Sequence, residues 1–271
     1  MRPPLSHVPP NPRSCVPSLI QKRRKVEGYE TRSRRAPPPP PLQMDNTGST
    51  KGVVAIVGCG LGLGGAIAAK FASEGYTIAA MARSQESLDA VKDSLAKVGS
   101  AKHGFYALDA TIKAEVDAAF EKIASELGAA SVLVYNVSDD VKGLRTTVLE
   151  IAPEDFLASF NRNCLGALLC TQAVLPRMIA AEGTVSNAKG AAKKGTILYT
   201  SATSAFRSTA KSAQVACAKA ALRMLSQAVA KEHGKQGVHA VHIRMDCTFE
   251  SPRNEKMFTA GGMGEMCEKL A

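Results

Sequence analysis

VVAIVGCGLGLGGAIAAKF, residues 53–71, decides how this chain folds. Val53 to Val57 are apolar throughout, the pattern of a strand buried on both faces. Glycines follow at 58, 60, 62, 64 and 65, and an alanine-rich stretch begins at once. A strand, a glycine-rich turn and a helix in immediate succession make the first βα unit of a dinucleotide-binding fold. Glycine permits the tight turn and lets a pyrophosphate approach backbone N–H groups at the positive end of the helix, where a Cβ would intrude. The competing reading is a glycine-rich turn without a ligand; the strand before and the helix after weigh against it.

The same alternation continues outward. Short apolar runs at 77–81, 104–108, 131–135, 195–201 and 238–244 read as further strands, and amphipathic stretches at about 63–74, 85–98, 112–127, 154–181 and 210–233 as helices. Apolar strands separated by helices predict an α/β protein, a doubly wound parallel sheet (Rossmann fold) with both faces covered. In 154–181, Phe156, Phe160, Leu168, Leu169 and Leu175 recur at helical spacing, with Pro153 at the start where proline is tolerated. Pro176 is expected to kink this helix or mark its last turn. The polar stretch 182–194 reads as a loop.

Charge and composition divide the chain in three. Residues 1–44 hold nine of the 34 Lys and Arg, two acids and 11 of the 14 prolines, so most of the formal +10 belongs to them. The segment 1–50 is predicted to be a disordered basic, proline-rich extension, with a polyproline stretch at 37–41. An organelle transit segment, a nuclear-type basic cluster at Lys22 to Lys25 and a plain solvated extension are its open readings. Residues 51–248 form a single nucleotide-binding domain, and 249–271 a short C-terminal segment with no seventh strand. Because the domain carries little of the charge, no nucleic-acid partner is expected. No apolar run reaches the roughly 18–20 residues of a membrane span, and none is predicted. Seven cysteines without Cys-x-x-Cys or zinc-ligand spacing, and no secretory signal, predict an intracellular, cytoplasmic protein with reduced thiols and no metal. Targeting to an organelle by the tail is the alternative.

The end of the second strand reads Ala80-Met81-Ala82-Arg83-Ser84. No carboxylate is available there for a ribose 2′-hydroxyl, whereas Arg83 and Ser84 offer a planar fork of donors and a hydroxyl. This favours NADP(H) over NAD(H) as cofactor. The plainer alternative leaves Arg83 at the strand end in solvent.

With these residues placed, residues 52–248 resemble the short-chain dehydrogenase/reductase family. The resemblance lies in Gly58, Gly62 and Gly64 of a Gly-x-x-x-Gly-x-Gly pattern, in Leu108-Asp109-Ala110, in Asn136, in Asn163-Cys-Leu-Gly166 and the stretch Leu169 to Pro176, and in Lys219 of Cys217-Ala-Lys219-Ala-Ala-Leu222. It implies cofactor-binding roles for Gly58, Gly62, Gly64, Asp109, Asn136, Lys219 and Thr248, catalytic roles for Asn163 and Lys219, and a homo-oligomer in which the helices at 154–181 and 210–233 pair across subunits. The family's catalytic tyrosine falls on Val215 and its serine on Ala202, with Ser201 one residue early. A one-residue offset on a strand turns a side chain to the other face. Ser201 enters as a catalytic candidate only if a bulge re-aims it; Tyr199, Ser212 and a relayed water are the other stand-ins.

Two functions follow as expectations. One is an NADP(H)-dependent oxidoreductase of short-chain dehydrogenase type, acting on a small-molecule carbonyl or alcohol through an atypical centre. The other is a non-catalytic NADP(H)-binding sensor or scaffold.

Overall fold

A computed structural model of the chain describes residues 51–98, 102–139, 146–185 and 192–246. The predicted tail over 1–50, the C-terminal segment 249–271 and Thr248 lie outside the described residues.

β1 (Val53–Val57), α1 (Leu63–Ser73), β2 (Thr77–Ala82), α2 (Gln85–Leu95), β3 (Gly104–Ala107), α3 (Lys113–Glu126) and β4 (Ala130–Tyr135) alternate in sequence. Then α4 (Pro153–Phe160), a π-helical turn over Asn161–Leu165 and α5 (Gly166–Ala180) follow without a break. A two-residue antiparallel pair, β5 (Thr184–Val185) with β6 (Ala192–Lys193), occupies part of the stretch predicted as loop. β7 (Gly195–Ala202), a 3-10 turn (Thr203–Ala205), α6 (Ala213–His233) and β8 (Val238–Met245) complete the described chain.

Six strands form one sheet in the order β3-β2-β1-β4-β7-β8, every neighbour parallel. All five residues of β1 are buried, because helices cover both faces. Val54 and Ile56 pack with Ile78, Leu88 and Val91 on the α1/α2 side. Val53, Ala55 and Val57 pack with Phe120, Val174, Met178 and Leu222 on the α3/α5/α6 side. Chain order reverses between β1 and β4, which opens a crevice at the carboxyl ends of the strands, where open α/β sheets place their ligands.

Pro176 stands at the last turn of α5, which ends at Ala180, as expected. One expectation about the long helix needs correction. The continuous run Pro153–Ala180, 28 residues, meets the length and mean hydropathy of a membrane span, which no apolar run was expected to do. Its apolar side is accounted for within the fold: Ala167, Cys170, Val174 and Met178 are buried against the sheet.

Candidate active site

A cleft of about 950 Å³ follows that crevice, from the glycine turn and Arg83 through Asp109 and Asn136 to Ser201, Ala202 and Lys219. Its wall at β1 is built by close backbone approach. Gly58 has φ +83°, and a Cβ there would lie 2.7 Å from the Asn136 carbonyl oxygen; a Cβ on Gly64 would meet the Gly58 carbonyl. At Gly60 a Cβ would meet nothing, so that side of the turn is open. Gly62 is the N-cap of α1 and brings no side-chain cap, and the first turn has no acid. The Gly65 N–H donates to the Gly60 carbonyl at 2.7 Å, and the rest of this helix start borders the cleft with its positive end and no acid in the first turn. Cys59, within the turn, is buried with its thiol pushed up to about 12, which makes it an inert packing residue.

Asn136 braces this wall: its amide donates to the Gly58 carbonyl at 3.0 Å and its oxygen accepts from the Thr200 hydroxyl at 2.9 Å. One side chain thus ties the β1 turn to the ends of β4 and β7. Arg83 is exposed at the end of β2 and lines the cleft. Ser84 beside it also lines the cleft, but its hydroxyl caps α2, accepting from the Ser87 N–H at 3.3 Å. Asp109 accepts from the backbone N–H and hydroxyl of Thr111, at 2.8 and 2.7 Å. Burial alone would raise its carboxyl, but these bonds, with Arg83 and Arg162 nearby, hold it below the usual carboxylate range.

The far end has a different character. Lys219 is buried on α6, and its ammonium donates to the carbonyls of Val137 at 3.1 Å and Thr200 at 3.4 Å. Desolvation pulls its pKa down to about 8, against an upward pull from the Asp139 carboxylate. Two of its three N–H groups have partners, and the third is available to the cleft. Val215, one helical turn earlier, is half-buried and is not among the described cleft-lining residues. β7 keeps unbroken register with β8 through Ala202↔Met245, so no bulge re-aims Ser201. The Ser201 hydroxyl is buried, 3% exposed for the residue, without a hydrogen-bond partner among the described residues.

The other proposed hydroxyl donors are engaged elsewhere. Tyr199 shares a 2.7 Å hydrogen bond with Thr171, and burial pushes its pKa up to about 12. Ser212 closes a local turn with Thr209 outside the cleft. Tyr135 is the one phenol among the described lining residues, yet its hydroxyl donates to the Arg162 carbonyl at 2.5 Å and burial holds its pKa well above the ordinary value.

Asn163 sits in the π-helical turn, fully buried. Its amide donates to Asp139 at 3.0 Å and to the Ser159 carbonyl at 2.9 Å. The centre around it was not visible in the sequence. The Asp139 carboxylate receives the Ser159 hydroxyl, the Asn163 amide and the Arg162 Nε–H, the last at 3.0 Å. Asp139 and these partners lie 20 to 24 residues apart in sequence, which leaves no periodic signal. The usable hint was an acid just after a strand facing an arginine next to Asn163.

Comparison with known proteins agrees with this fold. The family model described as short chain dehydrogenase matches residues 52–257. A meso-2,3-butanediol dehydrogenase of Serratia marcescens is 28% identical over 187 residues, covering 69% of this chain and 67% of that protein. The L-sorbose reductase of Gluconobacter frateurii, solved with NADPH and L-sorbose, superposes with a TM-score of 0.63 at 28% identity, over 72% of this chain and 69% of that one. A short chain dehydrogenase from Mycobacterium smegmatis shares the fold, with a TM-score of 0.65 at 22% identity, over 73% of this chain and 77% of the other.

Proposed function

The chain belongs to the short chain dehydrogenase family, and from that premise we propose that it is an NADP(H)-dependent oxidoreductase acting on a small-molecule carbonyl or alcohol, with an atypical proton-transfer centre. The observation that carries this reading is the single cleft joining the open glycine turn and Arg83 to the buried ammonium of Lys219. A bound nicotinamide dinucleotide supplies or takes up a hydride. The residues of the chain do the rest. Gly58 and Gly64 let the turn pack closely on the main chain, Gly62 caps α1 without a side chain, and the open side at Gly60 leaves room for a pyrophosphate at the start of α1. Arg83, in a stretch Ala80 to Ser84 whose sequence has no carboxylate, suits a ribose 2′-phosphate. The NADPH bound to the sorbose reductase supports the same choice. Asp109 stands at the adenine end, Asn136 fixes the turn, and the third N–H of Lys219 is placed to hold a ribose hydroxyl. Asn163 acts through the π-helical turn and Asp139.

At the reacting end, Ala202 and Val215 offer no hydroxyl, and the phenols of Tyr135 and Tyr199 are engaged and buried. A developing alkoxide needs a proton donor of matched pKa. The ammonium of Lys219, pulled down to about 8, is a group of that kind on the cleft wall. That same loss of hydroxyls favours a second reading, in which the protein binds NADP(H) without turnover. Incubating the protein with NADPH and a panel of aldehydes and ketones separates them. Consumption of NADPH above the blank supports the oxidoreductase. Thermal protection by NADPH without consumption leaves the second reading, and neither effect contradicts both.

Two further proposals accompany this one. The exposed side chains of Leu157 and Phe160 on α4 and Met224 on α6 fit a homo-oligomer formed through those helices. The free thiols of Cys59, Cys164, Cys170 and Cys217 fit a reducing, intracellular setting.

A further inference from the structure

We infer that Arg162 is an anion-recognition residue of this cleft, held in position by Asp139, and that it takes a phosphate or carboxylate group. The inference rests on the reading of the cleft as a nicotinamide dinucleotide site and adds a charged contact that the glycine turn, Arg83 and Lys219 do not provide.

Four observations carry it. Arg162 lies in the π-helical turn between α4 and α5, and its side chain lines the cleft while remaining only 24% exposed. Its Nε–H is fixed at 3.0 Å on the Asp139 carboxylate, whose own side chain is 2% exposed. That carboxylate is oriented from its other side by the Ser159 hydroxyl and the Asn163 amide. The main chain is tied as well, because the Arg162 carbonyl accepts the Tyr135 hydroxyl.

A guanidinium has five N–H donors, and Asp139 takes one of them. The terminal amino groups have no hydrogen-bond partner among the described residues. They are not among the buried atoms left without a partner, so they meet the open cleft, where an oxoanion can take the place of water. An oxoanion is the group whose geometry matches the remaining planar edge, and charge-assisted bonds of this kind are the stronger ones. The geometry is also pre-organised. A fork locked at Nε loses little side-chain freedom on binding, which is how an orienting carboxylate raises affinity without touching the ligand. Asp109 also lines the cleft and senses Arg162 electrostatically, and Lys219 senses the Asp139 carboxylate that holds Arg162, so the guanidinium lies near both. At that place the anion is either a phosphate of the dinucleotide or an acidic group of the substrate.

The test uses the full chain, wild type beside Arg162→Gln, Arg162→Lys and Asp139→Asn, each checked by circular dichroism for an unchanged fold. NADPH affinity is measured by nicotinamide fluorescence, and the thermal response of the NADP⁺-loaded protein to malonate and to inorganic phosphate is measured separately. If the anion belongs to the dinucleotide, Arg162→Gln weakens NADPH about 10- to 100-fold. If it belongs to the substrate, NADPH affinity stays unchanged and the malonate or phosphate response is lost. In either case Arg162→Lys recovers only part of the effect, since it keeps the charge and loses the fork. Asp139→Asn weakens the same readout with Arg162 still present, which marks it as a positioning residue. Where removing one member of the buried pair prevents folding, the double variant Asp139→Asn/Arg162→Gln leaves no uncompensated charge and carries the same measurement. Wild-type values within twofold for NADPH and for both anions in Arg162→Gln overturn the inference. Wild-type protein that binds no nicotinamide coenzyme contradicts the functional reading instead; the malonate and phosphate responses, then measured on the coenzyme-free protein, still decide Arg162.

Discussion

The two ends of the cleft are built to different standards. At the glycine end, backbone contacts and side chains agree: Gly58 and Gly64 sit where a Cβ would strike main-chain atoms, Asn136 clamps the turn, and Arg83 stands at the mouth. At the Lys219 end, the lysine keeps its two carbonyl partners, and Val215 and Ala202, where the resemblance to the family implies hydroxyls, carry hydrocarbon side chains. Gripping a dinucleotide depends on shape and fixed dipoles, which many residues share. Proton transfer depends on one group of suitable pKa in reach of one oxygen, so a single substitution removes it. The comparison predicts that binding and turnover are separable in this molecule.

The largest effect is expected from making the two ends alike. Val215→Tyr with Ala202→Ser should raise NADPH-dependent reduction of a carbonyl panel by about 10²–10⁴-fold, read as the rate of NADPH loss. An unchanged rate, in a protein whose wild type already turns over the panel, would mean that the centre lies elsewhere. Smaller, and confined to the glycine end, is the effect of Arg83→Ala. It should weaken NADPH about 10- to 100-fold while leaving NADH nearly unchanged, because only the 2′-phosphate contact is lost. Equal losses for the two coenzymes would remove that contact from the account.

Smaller again is a pH effect that sets binding against stability. Lys219 titrates near 8 in the folded protein, below the ordinary lysine value. Below pH 8 it is charged in both the folded and unfolded chain. Between about 8 and the ordinary lysine pKa, the unfolded chain holds the extra proton, so the contribution of Lys219 to stability rises with pH in that window. NADPH affinity should move the other way, falling several-fold over the same range as the third N–H is lost. Lys219→Met should abolish both slopes relative to wild type, as read by denaturant titration and by coenzyme binding at matched pH. Slopes that persist in the variant belong to another group.

All six strands of the main sheet were legible to within a residue, because β1 and β2 are apolar on both faces and the others are short runs rich in apolar and β-branched residues that end at a change in residue type. The glycine turn was legible for the same reason: its chemistry is local. What stayed hidden is long-range. Arg162, Ser159 and Asn163 converge on Asp139 from a different helix, and no spacing rule connects them. The π-helical turn that aims Asn163 breaks the helical period within an otherwise regular run. Ser84 illustrates the opposite case: a serine followed three residues later by Ser87 at a helix start is a readable N-cap, and its nearness to the cleft drew attention to a ligand instead. The engagement of Tyr135 and Tyr199 could only emerge from packing, since both look like available phenols in the sequence.

Calorimetric titration of the purified chain with NADPH, and separately with NADH, tests the central claim most directly. The account predicts saturable one-to-one binding of NADPH, tighter than NADH, even in protein that turns over no carbonyl. Absence of heat and of saturation with both coenzymes would contradict it.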